Sequence, residues 1–126
     1  MALTTGVDLV ELERVERAVA RFGDRFVARV YTEQEAARYA QRPDELATRF
    51  AAKEAVSKAL GVGMRHMSAH GIRWHEVEVL PDERGKPVLY LHGRARELAE
   101  EQGLRQWSIS LTHGRDHAMA FVVATG

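Results

Sequence analysis

Apolar and polar positions along this chain follow two regimes, a helical period in the first half and an alternating one in the second. A short strand is predicted over residues 3–7, then a helix over 9–22 that Gly23 ends. A second short helix is expected over 25–30. Thr32-Glu33-Gln34-Glu35 has the form of a capping box, in which hydroxyl and carboxylate each satisfy an orphan backbone donor, and opens a helix to about residue 41. Pro43-Asp44-Glu45 starts a long helix that stops at Gly61. Beyond it, residues 75–80 alternate with Val77 and Val79 on one face, 81–85 form a turn, and 88–92 return as a strand. Residues 94–102 read as a helix closed by Gly103. Trp107, Ile109 and Leu111 alternate with Ser108, Ser110 and Thr112, the mark of a half-buried strand, and 117–124 pairs back across the turn His113-Gly114-Arg115-Asp116. Helices first and antiparallel strands later predict an α+β fold, a single domain over residues 1–126.

The long helix is the most informative element. At about 100° per residue, Ala51, Ala52, Ala55, Val56 and Ala59 cover one broad side, and Phe50 and Leu60 flank the other. A surface apolar nearly all round predicts a helix packed on several sides, so its few charges need a reason. Glu54 and Lys58 lie four apart on the remaining strip, where their side chains meet. A half-buried carboxylate beside an ammonium, ahead of the Gly61-Val62-Gly63 loop, suits a bound metal and phosphate. An ordinary solvated ion pair fits the same spacing. Asp8 lies at the predicted strand-to-helix turn, where Asp8 and Glu11 match an N-cap box and Asp8 also suits a metal. Two carboxylates from separate elements, Asp8 and Glu54, would make a minimal magnesium site completed by an arriving pyrophosphate. Lys58 is placed to neutralise a phosphate oxygen, with Lys53 an alternative donor on the same helix.

Composition narrows the classes. Basic and acidic residues balance at 18 each, so net charge gives no argument for nucleic acid or membrane. The absence of cysteine removes disulfides, thiolate catalysis and Cys-ligated zinc. The first 22 residues carry acids and arginines throughout, so neither a signal peptide nor a membrane span is expected, and a cytoplasmic protein is. His66/His70 and His113/His117 lack the pattern of a zinc helix and are not read as zinc ligands. His113, at the end of a polar strand face, suits a phosphate better. Gly85-Lys86-Pro87 suits a nucleotide or simply a hairpin turn. Arg14, Arg17 and Arg21 share a helical stripe that Arg25 and Arg29 continue, while Glu13 and Glu16 are expected elsewhere. Such a face suits an acidic protein partner.

In this order the motifs resemble the bacterial holo-acyl-carrier-protein synthases, short 4'-phosphopantetheinyl transferases. The resemblance rests on Gly6-Val7-Asp8-Leu9-Val10-Glu11, on Arg49-Phe50-Ala51-Ala52-Lys53-Glu54-Ala55 with Ser57-Lys58-Ala59 and Gly61-x-Gly63, on Gly85-Lys86-Pro87, and on 108–113. It spans essentially the whole chain. It implies a transferase-like fold, an antiparallel sheet packed with a long buried helix. Coenzyme A would be the donor and a serine of acyl carrier protein the acceptor. It assigns Asp8 and Glu54 to magnesium and Lys58 to the adjacent phosphate, with Glu54 or a magnesium-bound water as base. Arg49, Gly85, Lys86, Pro87, Thr112 and His113 fall where the nucleotide end of coenzyme A would lie, and Arg14, Arg17, Arg21 and Arg25 where the carrier docks. It further implies a homotrimer with sites between subunits, and transfers no role to residues 66–71. The rival readings are a non-catalytic coenzyme A- or nucleotide-binding regulatory module and a magnesium-dependent phosphohydrolase.

Overall fold

A computed structural model describes residues 2–126. Strand β1 (Leu3–Glu11) leads directly into helix α1 (Leu12–Phe22), followed by α2 (Asp24–Val30), α3 (Glu33–Tyr39) and the long α4 (Pro43–Leu60). A 3-10 turn at Trp74–Glu76 precedes β2 (Val77–Pro81) and β3 (Pro87–Leu91); α5 (Gly93–Glu101), β4 (Gln106–His113) and β5 (His117–Thr125) complete the chain. The α+β expectation holds, with two antiparallel sheets: three strands in the order β1-β5-β4, and the hairpin β2-β3. The Thr32 capping box forms as predicted, and Gly61 ends α4 in the left-handed conformation with φ 78°.

The main departure is at the start. Strand β1 runs four residues past the predicted 3–7, because it pairs with β5 without a break from Leu3↔Thr125 to Glu11↔His117. The N-cap of α1 is Glu11, with no side-chain cap bond. The capping role for Asp8 is therefore wrong: the residue sits within the strand, four positions before the first residue of the helix.

Strand alternation then decides which side chains meet α4. Thr4, Gly6, Asp8 and Val10 share one face, opposite Ala124, Val122, Ala120 and Ala118 of β5. All four β5 residues are buried, and small side chains on the sheet meet Ala51, Ala52, Ala55 and Ala59 on the helix, which are buried too. Small against small lets helix and sheet approach closely. The limit is reached at Gly6, where a Cβ would stand 1.9 Å from the Ala55 carbonyl oxygen. Thr4 Oγ1 donates to the Ala59 carbonyl at 2.8 Å, one helical turn on. Gly6→Ala is expected to force β1 off α4, lowering stability by about 3 kcal/mol. Urea denaturation checks this; a midpoint unchanged from wild type would refute the contact.

The other face of the sheet is open. Leu3, Val7 and Leu9 of β1 and Met119 and Phe121 of β5 are exposed, and Val7 and Leu9 stand directly opposite Phe121 and Met119. Among the described residues no helix is long and apolar enough to cross a membrane.

Candidate active site

The face of β1 that touches α4 carries one acid, and it arrives beside two charged residues in the C-terminal half of α4, Glu54 and Lys58, that are not buried. Lys58 Nζ donates to Asp8 Oδ1 at 2.8 Å and to the Val7 carbonyl at 3.2 Å. The Lys58 side chain is 56% exposed and that of Asp8 11%. Glu54 is half-buried next to Asp8, and its carboxyl is held above the usual range. Burial is the largest cause, followed by the Asp8 charge, while Arg14 and Lys58 pull the other way. Residues 8, 14, 54 and 58 thus converge from three elements. An all-oxygen pair whose mutual repulsion already disfavours double ionisation is the donor set a hard divalent cation takes. Asp8 and Glu54 fit magnesium on that ground.

Lys53 faces elsewhere. It is fully buried, donating to Glu35 Oε1 at 2.8 Å, to the Trp74 carbonyl at 3.1 Å and to the Val77 carbonyl. Burial pushes its ammonium down, opposed by the charge and hydrogen bond of Glu35. The alternative-donor reading of Lys53 is thereby corrected. Glu35 also accepts from Thr32 N and Val79 N, so one ion pair ties α3, α4 and β2 together. The all-round apolar helix with a lysine in its middle was the signal for this lock, but the partner lies 18 residues upstream and no spacing rule points to it.

The remaining candidates stand apart from the acid pair within this chain. Arg49 is nearly fully buried. Its Nε donates to the Val79 carbonyl at 3.1 Å, its Nη1 to Glu45 Oε2 at 3.0 Å, and its guanidinium lies 3.8 Å over the Tyr39 ring. Among the described residues Nη2 makes no hydrogen bond. Gly85, Lys86 and Pro87 form the β2-β3 turn, with Gly85 at φ 85° and the Asp82 carboxylate accepting from the amides of Arg84 and Lys86. Thr112 and His113 are exposed at the end of β4, and His113 Nε2 lies 3.6 Å from Asp44 Oδ2. Asp44, Glu45 and His113 offer ligand atoms within 4.8 Å of one another, a cluster sequence reading missed, although Glu45 is already engaged by Arg49.

The basic face is built on aromatic rings. Arg14 lies 5.6 Å from the Phe50 ring centre and Arg21 5.2 Å from that of Phe22. Phe22, Arg25, Phe26 and Arg29 line one shallow cleft on α1 and α2. Arg17 differs from expectation: Glu13, one turn before it, comes within 3.7 Å, so the stripe is partly neutralised on its solvent side.

A family model described as the 4'-phosphopantetheinyl transferase superfamily matches residues 4–122. The chain belongs to that superfamily. Among its phosphopantetheinyl transferase relatives, the holo-[acyl-carrier-protein] synthase of Herpetosiphon aurantiacus is 51% identical over 126 residues, covering 98% of this chain and 99% of the relative. The crystal structure of the Neisseria meningitidis synthase superposes with TM-score 0.83 at 35% identity, covering 98% of each chain. The Helicobacter pylori synthase in complex with coenzyme A gives 0.83 at 27%, covering 96% of this chain and 99% of that one. The superfamily expected from the motifs and the α+β fold agree with these phosphopantetheinyl transferases.

Proposed function

We propose that this chain transfers 4'-phosphopantetheine from coenzyme A to a serine of apo acyl carrier protein, leaving holo carrier and adenosine 3',5'-bisphosphate. The observation that carries this reading is the meeting of Asp8, Glu54 and Lys58 in a superfamily member whose near relatives are holo-[acyl-carrier-protein] synthases. The serine oxygen attacks the β-phosphorus; its bond to phosphorus forms as the bond to the bisphosphate oxygen breaks, and the serine proton moves to Glu54. Glu54 is the carboxylate that the site offers as acceptor for that proton. Lys58, exposed at the rim, turns its ammonium to a phosphate oxygen. Asp8 and Glu54 would hold a magnesium ion, which when bound would offset charge on the leaving phosphate. Arg49 Nη2, the turn Gly85-Lys86-Pro87, Thr112 and His113 are assigned to the nucleotide end of coenzyme A, and Arg14, Arg17, Arg21 and Arg25 to the carrier.

Because the turn and the β4 end share no hydrogen bond with the acid pair, the reading assembles each site between subunits of a homotrimer. The open apolar face of β1 and β5 supports such an assembly. Light scattering is expected to return a particle of three chains; a monomer at assay concentration would refute it. The compartment assigned is the cytoplasm, in keeping with a chain without cysteine. The transfer itself is tested by incubating apo carrier, coenzyme A and magnesium with the protein. The expected mass gain on the carrier equals one phosphopantetheine group, and release of bisphosphate with no such gain would sink the proposal.

A further inference from the structure

Residues 65–74, around the stretch 66–71 to which the family resemblance gives no role, build a second basic cleft with Arg29 of α2. Arg29, Arg65, Arg73, His66 and Trp74 line a cavity of about 330 Å³ over Ile72, and no acid lines it. Among the described residues none of these three guanidinium groups makes an ion pair. Three like charges around one opening are unfavourable until an anion joins them, and the chain as a whole carries no net charge to explain the concentration.

The cleft is held in shape. Arg65 N donates to the Ile72 carbonyl at 2.6 Å. Gly71 packs so tightly that a Cβ would stand 2.3 Å from the Met64 carbonyl carbon. Arg94 donates through Nη2 to the His70 carbonyl at 2.9 Å. The cleft also continues from the active site. Phe50, under Arg14, lies 4.7 Å from Trp74, and Trp74 stacks on His66 at 5.3 Å. Arg29 is shared with the cleft of Phe22, Arg25 and Phe26. An aromatic floor edged by guanidinium groups thus runs from beside Glu54 to Arg65 and Arg73.

We propose that the Arg29–Arg65–Arg73 cleft is a second anchor for the carrier protein, taking acidic side chains that lie out of reach of Arg14. The proposal rests on the transfer reading, in which a carrier whose serine reaches Glu54 spans this floor as well. Guanidinium groups bind carboxylates with direction as well as charge. A contact of this kind acts on encounter and holding rather than on the phosphoryl step.

The test is calorimetric binding of apo carrier to the full-length protein without coenzyme A, alongside steady-state transfer. The double variant Arg65→Glu/Arg73→Glu is expected to weaken carrier binding about tenfold or more, with the neutral Arg65→Gln/Arg73→Gln giving a smaller loss. The carrier KM should rise in step, while kcat and the coenzyme A KM stay within about twofold. Arg14→Glu in the same titration reports the first anchor, and the two losses should add if the sites act separately. Carrier affinity unchanged in both double variants would overturn the proposal, and so would a rise confined to the coenzyme A KM, which would mark a nucleotide phosphate site. Failure of the wild type to modify the carrier would instead strike the transfer reading, and binding alone would still decide the cleft.

Discussion

Asp8→Ala and Glu54→Ala are each expected to lower kcat for pantetheine transfer by about 10³-fold, since each removes one of the two carboxylates that would hold the charge-neutralising magnesium ion. Both variants should remain folded: Asp8 pairs with a largely solvated Lys58, and Glu54 lies at the edge of the core. Mass analysis of the carrier reads the loss, and undiminished transfer in either variant would remove the acid pair from the mechanism. Stability should move the other way for Glu54→Gln. The folded state holds Glu54 above its ordinary 4.5, so the fold favours the protonated carboxyl. Its favourable contribution is complete below the unfolded pKa and is lost as pH rises through the folded one. At neutral pH the ionised group is a burden that glutamine removes. Glu54→Gln is therefore expected to raise Tm at pH 7 by roughly 2 °C, with the gain vanishing near pH 4. Calorimetry at the two values checks the sign, and a lower Tm at pH 7 would contradict it.

The largest stability effect is expected at Lys53. Lys53→Met leaves the Glu35 carboxyl without its ammonium partner in a site sealed from water, and breaking a buried pair from one side costs about 3–5 kcal/mol. Converting the partner as well, in Lys53→Met/Glu35→Leu, should recover part of that loss, although the Thr32 and Val79 amides then lose their acceptor. Urea titration of the two singles and the double closes the cycle. A single variant as stable as wild type would show that the pair is not held as drawn.

Much of the fold could be read from periodicity because its elements are local. The apolar wrap of α4, the Thr32 box and the alternation from Trp107 to Leu111 are each carried by neighbours in the chain. The start of the chain was misread because Asp8 and Glu11 satisfy a local capping rule, while nine pairings with a strand more than a hundred residues away decide the outcome. Lys53 and Arg49 show the same limit in charge. Helical spacing placed Lys53 near Glu54 and the family resemblance placed Arg49 at the nucleotide, but their burial is set by Glu35, Tyr39 and carbonyls of residues 74–79. The convergence of Asp8 with Glu54 and Lys58 also depends on long-range pairing, and Gly6 was quoted only as part of a motif. Its lack of a side chain is what brings the strand near enough.

The chain holds only three lysines, at positions 53, 58 and 86. One is sealed in the interior, one tips the β2-β3 turn, and one stands over Asp8. Amine-directed chemistry therefore has very few places to act. Among them Lys58 alone pairs with Asp8, so on the proposed transfer reading the readiness of its nitrogen to be acylated would gauge whether the pyrophosphate seat is filled.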